Sequence, residues 1–205
     1  MRLASSLKNF SLCLATVSFL FAGAAFAQSD MVGVNVRLDQ QLTTKSATQG
    51  QIVAAKLDRA AKTSDGIDLP RGTELLGKVS HVQASQNGGP ASFSLLFDKA
   101  QLKDGKEIPV KVTILGAYPP GQESADSLYP GDDLLGPAPR HVSPEQRVDQ
   151  EAGLLSHISM TSAVQSHNSG TFRRKAGNIK LARGTYLQVG VGPAIIDRTQ
   201  NDQAM

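Results

Sequence analysis

The stretch "IDLPRGTELLGKVSHV", residues 67 to 82, reads as a turn that feeds a strand. Its first half returns near the other end of the chain in "IKLARGTYLQVGVGP", residues 179 to 193, so that Leu-x-Arg-Gly-Thr-x-Leu is written at Leu69–Leu75 and again at Leu181–Leu187. In both copies Gly-Thr stands just ahead of an alternating apolar run. Gly72-Thr73 precedes Leu75, Gly77 and Val79, and Gly184-Thr185 precedes Leu187, Val189 and Val191. Glycine admits a sharp turn or bulge, and the β-branched threonine begins the extended run. Gly72, Thr73, Gly184 and Thr185 are therefore read as structural turn residues, each pair a corner feeding a core strand. A phosphate cradle would need several glycines in a loop that opens a helix. Here one glycine opens a strand, and no nucleotide-binding residue is expected.

Outward from the first copy, three runs alternate as half-buried strands do. Val53, Ala55 and Leu57 share one face; Phe93, Leu95 and Phe97 oppose Ser92, Ser94 and Asp98; Ile108, Val110, Val112 and Ile114 alternate with Pro109, Lys111 and Thr113. The alternation predicts that one face of the sheet is buried and the other meets water. Asp65-Gly66, Asn87-Gly88-Gly89-Pro90 and Asp104-Gly105 supply the positive φ angles of tight turns. The strands 73–84, 91–102 and 106–116 thus form an antiparallel meander with hairpins at 87–90 and 103–106. Pro109 cannot donate to a ladder and suits the start of its strand or an edge.

Six of the ten prolines fall between Ala117 and Arg147, which predicts a flexible Pro/Gly-rich loop insertion over 117–147. Within its end, Ser143, Pro144 and Gln146 have the pattern of an N-cap, a first helical position and a capping box, predicting a short helix that ends near Gly153. The following "LLSHISMTSAV" fits a strand or a helix equally well. The fold class expected is mainly β, a small β-barrel or closed β-sandwich.

The first residues set the compartment. Arg2 and Lys8, the apolar run Phe10–Phe21 and the small residues Ala25-Phe26-Ala27 make the three-part pattern of a signal peptide over residues 1–27, leaving residues 28–205 as a single β domain. The apolar run is shorter than the about 20 residues a membrane span needs. No transmembrane segment is expected after cleavage, and the protein is expected to be exported, periplasmic or associated with the cell envelope. Losing Arg2 and Lys8 takes the formal net charge from +3 to +1. Nucleic-acid binding needs a concentrated basic face; the local cluster Arg173-Arg174-Lys175 is read as a solvated edge or turn, and no nucleic-acid partner is expected. The single cysteine, Cys13, leaves with the signal, which removes disulfides, thiol nucleophiles and thiolate metal sites.

The segment from Ile67 to Gly116, followed by "NIKLARGTYLQVGV", resembles the barrel domain of TrbI-like conjugation proteins, scaffold subunits of type IV secretion channels. Pro70-Arg71-Gly72-Thr73-Glu74-Leu75-Leu76-Gly77 is similar to the family's P-x-G-[ST]-x-L-x-G. Asp104-Gly105-Lys106-Glu107-Ile108-Pro109-Val110 resembles its hairpin turn, and Gly184-Thr185 its closing strand. The resemblance covers about half of residues 28–205 and implies a barrel in the cell envelope that associates with itself or with other envelope proteins. The family is anchored by an inner-membrane helix and a proline-rich stalk; a cleavable signal stands in that place here.

For chemistry, His81, His141, His157 and His167 show no paired-ligand spacing, so no metal or cofactor is expected. "SHNSG" at Ser166–Gly170 gathers Ser, His and Asn in sequence without a Gly-x-Ser-x-Gly elbow and reads as a loop before the last strands. Asp132-Asp133 lies in the Pro/Gly loop, away from any low-dielectric pocket. No tryptophan and only 5% aromatic residues argue against a carbohydrate-stacking groove. These readings together predict an exported, non-catalytic structural or interaction module of the bacterial envelope with no catalytic residue. The alternatives are an envelope hydrolase whose Ser, His and carboxylate groups the fold assembles, around His157 or His167, and a free-standing envelope protein unrelated to secretion.

Overall fold

The computed structural model describes residues 31–121, 142, 143 and 145–194. The expected signal peptide over 1–27 and most of the expected 117–147 insertion, Asp132-Asp133 and His141 included, lie outside the described residues. Thirteen strands follow one another: β1 (Val32–Leu38), β2 (Leu42–Thr43), β3 (Ile52–Leu57), β4 (Ala61–Lys62), β5 (Asp68–Leu69), β6 (Glu74–Gln83), β7 (Ala91–Gln101) and β8 (Glu107–Tyr118). After the insertion come β9 (Arg147–Leu155), β10 (Ile158–Ala163), β11 (Gly170–Arg174), β12 (Lys180–Leu181) and β13 (Tyr186–Pro193). No helix occurs among the described residues.

The mainly β expectation resolves to a barrel. Six antiparallel strands in the order β6-β3-β1-β13-β8-β7 close on themselves through the β6–β7 ladder. The two hairpins of the meander form with the register their turns dictate, and Asn87 and Gly88 (φ 51° and 77°) and Gly105 (φ 83°) take the positive angles. Period-two burial fills the interior: Val53, Ala55, Leu57, Phe93, Leu95, Phe97, Val112, Ile114, Leu187, Val189 and Val191 are all buried. β1, unassigned by the sequence reading, contributes Val34, Val36 and Leu38 to the same interior.

The twice-written motif builds two equivalent corners. Thr73 N donates to Pro70 O at 3.0 Å and Thr185 N to Ala182 O at 3.1 Å, with Gly72 (φ 85°) and Gly184 (φ 80°) at the third turn position. A type II turn demands positive φ there, which glycine supplies without a Cβ clash. Each corner clasps the end of a barrel strand. Gly72 N donates to Leu57 O and Leu57 N to Thr73 O, both at 2.9 Å; Gly184 N donates to Leu38 O at 2.8 Å and Leu38 N to Thr185 O at 3.0 Å. The leucines at both ends of both motifs, Leu69, Leu75, Leu181 and Leu187, are fully buried.

The equivalence extends beyond the motif and makes an internal twofold. β1 and β3 pair with Arg37 opposite Lys56, Val36 opposite Leu57 and Leu38 opposite Ala55, a register that maps onto itself when residues 36–38 are exchanged with 55–57. Asp39 N donates to Ala54 O as Asp58 N donates to Asn35 O, both at 3.1 Å. Arg37 pairs with Asp58 at 2.9 Å, and its counterpart Lys56 with Asp39 at 3.6 Å. Six residues past Leu38 and Leu57, the buried Thr44 and Thr63 each accept through Oγ1 from the isoleucine that opens a motif, Ile179 and Ile67. Four of the six barrel strands are thus two copies of one strand, corner and strand unit.

Four expectations change. The segment predicted to form a helix from Ser143 to near Gly153 is instead a turn, with Gln146 N donating to Ser143 O at 2.9 Å, followed by β9 from Arg147. Serine before proline suits a turn as well as a helix cap, and pairing with β10 decides between them. The insertion is shorter than read, because Ala117 and Tyr118 still belong to β8, paired with Leu187 and Tyr186. "LLSHISMTSAV" resolves into the end of β9, a turn holding His157 at φ 59°, and β10. The face of β8 expected to meet water does so at Pro109 and only partly at Lys111, while Thr113 is fully buried, because β9 and β10 lie against β8.

Candidate functional site

Where β7 leaves β8, the barrel wall must open. β7 pairs with β8 only over Lys99–Gln101, and its N-terminal half, Ala91–Leu95, pairs instead with β11. The gap is bridged by Ser169, itself fully buried. Its amide donates to Leu95 O and its carbonyl accepts from Ile114 N, both at 2.8 Å, while its Oγ accepts from Phe97 N at 2.9 Å. One serine thereby occupies three backbone groups that the split would leave unpaired. Asn168 accepts from Ser80 Oγ at 2.8 Å, and Ser166 O accepts from Lys111 Nζ. Partial burial holds the Lys111 ammonium below its ordinary pKa. The Ser/His/Asn segment is therefore woven into the wall, as a loop before the last strands.

β11, β10 and β9 continue the sheet outward from β7. Their inward face carries Phe172 and Met160, with the Phe172 ring 5.1 Å from that of Phe93. Alternation then sends polar side chains to the other face in two register rows: Gln83, Ser92, Arg173 and Ser159 in one, Ser94, Thr171, Thr161 and Asp149 in the next. Ser94 and Thr171 share a hydrogen bond of 2.8 Å across β7 and β11.

This polar face is the floor of a trough of about 820 Å³. Ser92, Ser159, Thr161 and Arg173 line it from the strands, His157 from the β9–β10 turn, and Arg174 and Lys175 from the end of β11. Asp149 is its single carboxylate among the described residues. Arg174 Nη1 donates to Asn178 O at 3.0 Å, while its Nε is buried with no acceptor among the described residues. The cluster Arg173-Arg174-Lys175, expected as a solvated edge, is the cationic wall of this trough. Its signal in the sequence was the run of three charges; what could not be read was the strand pairing that places hydroxyls beside it.

The four motif residues stand apart from this trough, at the two corners. His157 shares the trough with Ser92, Ser159 and Asp149, yet neither it nor the exposed His167 is hydrogen-bonded to a serine or carboxylate among the described residues. No cluster of three His, Cys, Asp or Glu side chains suited to a metal occurs among the described residues, and they contain no helix long and apolar enough to span a membrane. Comparison with protein-family models finds no match to this chain, and none of the curated proteins matches it.

Proposed function

We propose that this protein is an exported, non-catalytic interaction module of the bacterial cell envelope, a barrel of the TrbI-like kind that works by docking to envelope proteins or to copies of itself. The observation that carries this reading is the sheet extension. Six strands close the barrel, and β9, β10 and β11 add a wall whose inner face packs on the core and whose outer face is polar and cationic. A polar concave surface beyond what closure requires is what a docking module presents. The one Ser/His/Asn segment is engaged in bridging β7 to β8, which also supports a binding role over a hydrolytic one.

Crosslinking in intact cells, with partners identified by mass spectrometry, tests the reading. Defined crosslinked species are expected. Recovery of uncrosslinked monomer alone, together with an unaltered envelope phenotype on deleting residues 119–144, would overturn it. Turnover of ester or glycan substrates that is lost in His157→Ala would replace it with the hydrolase.

A further inference from the structure

Resting on the interaction reading, and going beyond it to the chemistry of the partner, we propose that the trough over β7, β11, β10 and β9 takes an extended acidic peptide segment of a partner protein. Charge comes first. Among the described residues, Arg173, Arg174 and Lys175 oppose Asp149 alone, so an occupant gains by bringing carboxylates. The floor then sets the shape of that occupant. Its hydroxyls repeat two residues apart along β10, at Ser159 and Thr161, with Ser92 of β7 and Arg173 of β11 in the same register row as Ser159. Side chains on one face of an extended chain recur at that same spacing, roughly 6.5–7 Å. A peptide with acidic residues at alternate positions can therefore meet the donors in step.

Other anions fit less well. The donors are side chains spread over four elements, with no glycine-rich turn converging backbone amides on one point, as a lone phosphate requires. Among the described residues no Phe, Tyr or Trp lines the trough, so neither a sugar ring nor a nucleobase has a broad stacking platform.

The test is fluorescence anisotropy of a labelled ten-residue peptide with Glu at alternate positions, titrated with the purified protein. Arg173→Glu combined with Lys175→Glu is expected to weaken binding about tenfold or more, and the exposed Lys106→Glu, outside the trough, to change it less than about twofold. Asp149→Asn is expected to tighten binding, a gain that misfolding cannot mimic. Equal affinities for the trough variants and Lys106→Glu, or unchanged affinity in Asp149→Asn, would overturn the proposal. So would displacement of the peptide by millimolar inorganic phosphate, or preference for a sulfated polysaccharide over the peptide. If the peptide fails while cellular crosslinks persist, the acidic-peptide assignment falls and the docking module stands; if both fail, both fall.

Discussion

Thr73 and Thr185 occupy the same place in two copies of one corner, and both are buried, but their hydroxyls differ. Thr185 Oγ1 donates to Ala182 O at 2.8 Å, whereas Thr73 Oγ1 has no partner among the described residues, because Pro70 O receives only the Thr73 amide. A buried hydroxyl without a partner carries its desolvation cost unrelieved, and valine has the same shape without that cost. Thr185→Val is expected to lower stability by about 1 kcal/mol, and Thr73→Val to be neutral or stabilising, both read from urea unfolding midpoints at constant m. Equal losses at the two sites would mean that the β-branched shape, and not the hydrogen bond, is what each corner uses. The same chemistry explains why the four motif residues were legible from the sequence: glycine at a positive φ and a β-branched residue after it are requirements of one local turn, independent of what packs around it.

At the scale of elements, the split of β7 between β8 and β11 depends on Ser169, whose Oγ is the acceptor for Phe97 N. Ser169→Ala leaves that amide buried and unpaired, at a cost of about 1–3 kcal/mol. The amide of Phe97 is expected to exchange with solvent faster than its neighbours Leu95 and Leu96, measured by hydrogen exchange. Uniform acceleration along β7 would instead indicate loss of the whole strand. This element shows where sequence reading ran out. β6, β7 and the start of β8 were legible, since alternation and Asx-Gly turns are local signals. The departure of β8 after Pro109 was not, because nothing in Val110–Tyr118 distinguishes a partner in β7 from one in β13. β9 was hidden for a related reason. Ser143 and Pro144 carry turn and cap signals alike, and only hairpin pairing with β10 and contact with β8 select the strand. β1 carried its own alternation, Val32, Val34, Val36 and Leu38, and was legible in principle. So was its likeness to β3: Arg37-Leu38-Asp39 with Thr44 repeats as Lys56-Leu57-Asp58 with Thr63.

In the whole molecule, one wall has two faces, and neighbouring residues of β11 separate them. Phe172 points inward, fully buried against Phe93; Arg173 points outward onto the trough floor, exposed between Ser92 and Ser159. Removing the Phe172 ring deletes buried apolar volume where β11 packs on the core against Phe93, and close packing there leaves little room for collapse into the cavity. Phe172→Ala is therefore expected to cost about 3–5 kcal/mol. Arg173 makes no ion pair among the described residues, so Arg173→Ala is expected to shift stability by no more than about 0.5 kcal/mol. Capture of partners in cells should respond in a different way. Arg173→Ala should reduce crosslinked species at unchanged protein level, because the guanidinium at the centre of the floor is lost while the wall remains. Phe172→Ala should reduce them only in proportion to the protein lost to unfolding and degradation. If Arg173→Ala destabilised the barrel as much as Phe172→Ala, or left crosslinking untouched, the outer face of β11 would be part of the scaffold and the contact surface would have to lie elsewhere on the molecule.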